Sequence, residues 1–153
     1  MLKAIKQFFD QNISPDTQVD YEHHLKLATA ALLIEMMQQD GATKDEEVEA
    51  VKNALQTKFE LSETETHELF ALAHEEARQA VDFYQFTSLI HEHFPLEKKI
   101  KIVEYLWMIA YADNHLDAHE EHMIRRIAEL LYISHQDFIK TKHKVQEKLK
   151  GHE

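Results

Sequence analysis

Apolar residues recur at helical spacing along nearly the whole chain. Leu2, Ile5, Phe8 and Phe9 share one face and predict a short first helix over about 2–11, which Asn12-Ile13-Ser14-Pro15-Asp16 breaks. A second helix is predicted over about 17–39. Its second half runs through Leu25, Leu27, Ala28, Ala31, Leu32, Leu33, Ile34, Met36 and Met37, with Thr29 and Glu35 as interruptions between Ala28 and Met37. A helix apolar almost all round has no solvent face, so it is expected at the centre of the fold.

Asp40-Gly41 ends that helix, with Gly41 suited to a left-handed C-cap. A third helix over about 44–59 is amphipathic through Val48, Val51, Ala54 and Leu55. Ser62-Glu63-Thr64-Glu65 is a capping box that starts a fourth helix, to about Ala80. Residues 82–94 read as a fifth, and Pro95 suits the first turn of a sixth that runs to about Ala112. The sixth is again apolar on most sides (Ile100, Ile102, Val103, Leu106, Trp107, Met108, Ile109, Ala110). Asp117-Ala118-His119-Glu120 reads as a second capping box and starts a seventh helix to about Tyr132. Ser134 caps an eighth, over about 136–149.

The pattern repeats. When Asp40 is laid over Asp113, a strongly apolar helix precedes each, and Glu47 and Glu120 each lie seven residues on. Val51 and Ala54 then match Ile124 and Ile127, and one extra residue in the first copy brings Leu61-Ser62 over Ile133-Ser134. The match extends over about 45 residues per copy. The expected architecture is therefore all-α, a compact bundle of seven to eight helices with two pseudo-symmetric helix–acidic-loop–helix repeats, at about 20–80 and 95–149. The two central helices are expected to pack on each other, the following helices to wrap the outside, and the two acidic loops to face each other across a pseudo-twofold axis. With no linker, low-complexity segment or strand pattern, residues 1–153 are expected to form one domain.

Composition narrows the function. There are no cysteines, so disulfides, thiol nucleophiles and Cys-type zinc sites are excluded. The N-terminal segment lacks the apolar run of a signal peptide, and no apolar stretch is long enough to span a bilayer, which makes the cytoplasm the expected location. The net charge of −11 opposes nucleic-acid binding. Charge is unevenly spread: Asp45, Glu46, Glu47 and Glu49 form an acidic block, while the C-terminal segment carries Lys140, Lys142, Lys144, Lys148 and Lys150. Both are read as solvated helix faces, or as docking surfaces for a charged partner.

The candidate chemistry lies in the paired acids Asp40/Glu47 and Asp113/Glu120, with Glu46, Asp117 and Glu121 beside them. Hard cations such as Ca²⁺ or Mg²⁺ want several converging carboxylate oxygens. The same acids also serve simply as helix caps, worth about 0.5–2 kcal/mol each. The run lacks the spacing of an EF-hand loop. The histidines do not supply a metal site: His119 and His122 are three apart where a zinc-protease helix needs four, and no Glu stands three before any His, as di-iron bundles require. They read as surface residues, with His115, His119 and His122 able to take zinc adventitiously. Ser62 and Ser134 read as caps, no serine sits in a Gly-x-Ser-x-Gly elbow, and there is no Gly-rich phosphate loop. A non-enzyme is expected. Tyr105, Trp107 and Tyr111 read as core, the alternative being a cofactor or partner groove.

These residues resemble the TerB-like family, the tellurite-resistance-associated domain also found at the start of the DjlA co-chaperone. The family pattern is an apolar helix, Ala-Asp-Gly, a short stretch, and Glu-Glu at the head of the next helix. Here it is met by Asp40-Gly41 with Glu46-Glu47, and by Tyr111-Ala112-Asp113-Asn114 with Asp117, Glu120 and Glu121. Asn114 stands where the pattern has Gly, and Asn also tolerates a left-handed backbone. Lys44 stands where the second copy has Asp117, and its charge would repel a cation. The resemblance covers about residues 20–149. It implies an all-α fold, a bacterial cytoplasmic protein, links to tellurite or stress resistance, and divalent-cation binding by the loop acids. The expected role is a binding or scaffold module that presents its acidic loops to a protein or membrane-associated partner. The alternative is a sensor or buffer for the cation itself.

Overall fold

The helix expected at the centre is there. The computed structural model describes residues 3–14, 21–40, 45–79, 84–111 and 118–150, and within Tyr21–Asp40 every residue from Ala28 to Met37 is buried. The described residues form eight α-helices and no strand: α1 (Lys3–Phe8), α2 (Tyr21–Asp40), α3 (Asp45–Lys58), α4 (Glu63–Arg78), α5 (Gln85–His93), α6 (Leu96–Ala110), α7 (Ala118–Leu130) and α8 (His135–Lys150). Among them no helix is long and apolar enough to cross a membrane.

Helices α2 and α6 pack against each other, and each carries a partner alongside, α4 on α2 and α8 on α6. Of the outer helices, α3 lies against α6 and α4, and α7 against both α6 and α2. The buried hydroxyl of Thr29 in α2 is satisfied locally, its Oγ1 donating to the Leu25 carbonyl at 2.8 Å. On α6 the aromatic residues are core. Trp107 is fully buried, its Nε1 donates to Thr141 Oγ1 of α8 at 3.0 Å, and its ring packs against Phe138 and Tyr111.

The structure differs from the sequence pattern at three places. The first helix does not break at Asn12. It widens into a π-turn over Phe9–Ile13, closed by Ser14 N–H donating to the Phe9 carbonyl at 2.8 Å, and this keeps Phe9 and Ile13 buried together. Phe8 and Phe9 then pack on α5, edge-on to Phe86 and Phe94 respectively. Pro95 sits one place before the first turn of α6, as its N-cap, where its carbonyl accepts from the amides of Lys98 and Lys99. Helix α5 begins at Gln85 rather than at residue 82, and residues 80–83 lie outside the described residues.

The links α3–α4 and α7–α8 are built alike. Each has one residue with left-handed backbone, Glu60 (φ 56°) and Tyr132 (φ 60°). A non-glycine residue there costs about 1–2 kcal/mol. The buried neighbours on either side hold the conformation, Phe59 and Leu61 in one link and Leu131 and Ile133 in the other. Backbone bonds reach back to close each turn, Leu61 to Leu55 at 3.3 Å and Ile133 to Ala128 at 3.0 Å. A serine then starts the next helix. Ser62 makes the full capping box with Glu65, while Ser134 Oγ accepts from the Asp137 amide at 3.1 Å.

Candidate functional site

The first acidic loop leads into α3, whose opening turn holds Asp45, Glu46 and Glu47, all exposed, with Glu49 exposed behind them. The three acids in the first turn are favoured by the helix dipole. Little else ties α3 down: Leu55 is its one fully buried residue, and Val48, Val51 and Ala54 are half-buried. Glu120 and Glu121 stand in the first turn of α7, both half-buried. Glu121 Oε1 accepts from Lys142 Nζ of α8 at 2.6 Å, so this acid has a structural partner across the link. Asp113 and Asp117 lie outside the described residues, as does the side chain of Asp40, whose backbone closes α2. His115 and the side chain of His119 also lie outside them, and His122 is exposed. Among the described residues no three His, Asp or Glu side chains gather as a metal-holding group.

The basic C-terminal helix is partly spoken for as well. Lys144 Nζ lies 3.1 Å from the nearly buried carboxylate of Glu104, whereas Lys140, Lys148 and Lys150 are exposed. Beside the start of α6, Glu22, Leu25, Glu97, Lys98, Lys101 and Tyr105 line an open groove of about 510 Å³. Tyr105 donates to Glu22 Oε1 at 3.4 Å. Burial and the nearby Glu22 and Glu104 carboxylates push its hydroxyl up to about 12, so it remains a hydrogen-bond donor at any physiological pH.

The most elaborate polar cluster is one the sequence pattern did not single out. Glu35 of α2 and Glu76 of α4 are both fully buried. Glu35 Oε2 accepts from the Phe86 amide at 2.8 Å, and its Oε1 accepts from the Thr87 amide at 3.1 Å and from Thr87 Oγ1 at 2.8 Å. Glu76 Oε2 accepts from the Gln85 amide at 3.1 Å, and its Oε1 from Gln39 Nε2 at 3.1 Å. Helix α5 has no side-chain cap of its own. Its first three amides are received instead by two carboxyl groups from two other helices. Burial, then the charge of Glu76 and a hydrogen bond shared with it, push the Glu35 carboxyl well above the usual carboxylate range, against the lowering effect of the Phe86 and Thr87 bonds. One signal for Glu35 was in the sequence, since a lone carboxylate inside an apolar run must find a partner when buried. Gln39 ties the cluster to the last turn of α2, one residue before Asp40.

The family model described as tellurite resistance protein TerB matches residues 26–143. No curated protein and no solved structure matches the chain.

Proposed function

The chain belongs to the TerB family, and from that premise we propose that it is a non-catalytic binding module of tellurite or stress resistance which presents its acidic surface to a partner protein. The observation that carries this reading is the head of α3. Asp45, Glu46, Glu47 and Glu49 all face solvent on a helix fixed by one fully buried side chain. A charged face on a lightly anchored helix is suited to docking, because charge complementarity speeds encounter and selects the partner while the helix can adjust. The partner is a protein with a basic face, membrane-associated or free, and the module works in the cytoplasm as one folded unit. The net charge of −11 argues against nucleic acid.

The test is affinity capture from cytoplasmic and membrane fractions with wild type and with Glu46→Gln/Glu47→Gln. Salt-sensitive capture of a defined basic protein, lost in the variant, is the expected result. Capture unchanged by the substitution would remove the acidic face from the mechanism.

The second reading keeps Asp40, Glu47, Asp113 and Glu120 as a divalent-cation site for Ca²⁺ or Mg²⁺. It rests on the half-buried position of Glu120 at the head of α7, since a carboxylate withdrawn from water is better placed than an exposed one to ligate a cation. Chelator-stripped protein with cation at one hundred times its Kd should gain about 2.7 kcal/mol. For this size that corresponds to a melting shift of roughly 5–10 °C. No shift, or one retained in Asp40→Asn/Asp113→Asn, would leave these acids as helix caps only.

A further inference from the structure

Lys99 of α6 lies in a run of three lysines, with Lys98 and Lys101, but unlike them it is buried. Its Nζ lies 2.6 Å from His91 Nδ1 of α5 and 3.5 Å from the Leu131 carbonyl. Among the described residues no carboxylate pairs with it, and withdrawal from water pushes its amine below the ordinary lysine range. The His91 ring also packs against Tyr132, with ring centroids 4.6 Å apart. Tyr132 holds a left-handed backbone and is 78% exposed, and Leu96, one turn before Lys99 on α6, is 52% exposed. A buried amine therefore touches an imidazole nitrogen whose ring packs against a solvent-exposed tyrosine.

We propose that Lys99 is a covalent acylation site that takes a short acyl group from an acyl phosphate, with His91 as the proton acceptor. An amine in contact with a base is the arrangement that makes lysine a nucleophile. The neutral Nζ attacks the acyl carbonyl carbon. The carbon–oxygen bond to phosphate breaks, phosphate leaves with the bonding pair, and the proton shed by the amine passes to His91 Nδ1. The product is a neutral amide, which ends the burial of a charge that no carboxylate among the described residues pairs with. The exposed Leu96 and Tyr132 side chains offer the acyl group an apolar resting place.

Acetyl phosphate is the probe. Cleavage after Glu97 and Glu104 releases Lys98, Lys99 and Lys101 on one peptide, so the neighbouring lysines serve as internal controls in mass spectrometry. Near neutral pH Lys99 should label about ten-fold faster than either neighbour. His91→Phe keeps a ring against Tyr132 and removes the proton acceptor, and in that variant, once its melting curve shows it folded, the preference should vanish. Lys99 labelling no faster than Lys98 and Lys101 in the wild-type protein would overturn the proposal. A preference retained in His91→Phe would overturn the pair as the reactive unit.

Discussion

With Asp40 laid over Asp113, and Ser62 over Ser134, Glu35 corresponds to Met108 and Glu76 to Lys148. The two pairs sit in opposite surroundings. Glu35 and Glu76 are fully buried and grip the start of α5, while Met108 is 42% exposed and Lys148 is exposed. Helix α5 makes the difference: it follows α4 and folds back over α2, whereas Met108 stands open on α6 among the described residues. Equivalent positions on similar helices thus take residue types set by what covers them. A covering helix brings unsatisfied N-terminal amides that need acceptors, and the first half of the chain meets that need with carboxyl groups in its own core.

The largest effect should separate those two positions directly. Glu35→Ala strands the Phe86 and Thr87 amides and leaves a void, and should cost about 3 kcal/mol or more. Met108→Ala should stay within about 0.5 kcal/mol. Urea unfolding of both variants checks this, and equal losses would end the distinction between a covered and an open face.

The next effect is on pH dependence. Glu35 holds its proton in the fold to higher pH than in the unfolded chain. The stability it contributes is fully present below the ordinary carboxylate range and is lost as pH rises through its raised folded value. Glu35→Gln should cost about 1 kcal/mol at acid pH, because one oxygen cannot serve both amides, and should flatten the decline towards neutral and alkaline pH. Chemical denaturation across the pH range reads the slope, and an unchanged slope would place the titration elsewhere. No such change is expected for Met108→Gln.

The smallest effect compares the two links. Ser62 shares a reciprocal box with Glu65 and Ser134 makes a single bond. Ser62→Ala should cost about 1–2 kcal/mol, and Ser134→Ala about half as much. Equal melting shifts would show that the reciprocal bond adds nothing.

Most of the fold was legible because helical periodicity, two serine caps and one proline mark the element ends. The burial of α2 and α6 followed from their lack of a polar face. The π-turn was not legible, since nothing in Phe9–Ile13 distinguishes a widened turn from a stop. At the sites, Glu35 was visible as a charge in an apolar run, but Glu76 was not. It follows Glu75 on an amphipathic helix, and a buried carboxylate there looks the same as a solvated one. Lys99 was hidden in the same way among lysines on its own helix. Of the acids singled out from the sequence, the structure describes the side chains of Asp45, Glu46, Glu47, Glu49, Glu120 and Glu121, and it gives Glu121 a lysine partner that spacing alone does not reveal.

The grip on α5 has a consequence for hydrogen exchange. Amide protons in the first turn of a helix are ordinarily among the first to exchange, because no carbonyl of the helix receives them. Those of Gln85, Phe86 and Thr87 end on buried carboxyl oxygens supplied by α2 and α4. They can be released only when α5 lifts off both helices, so the slowest protons in this part of the chain should lie at the end of α5 where a helix is usually the most labile.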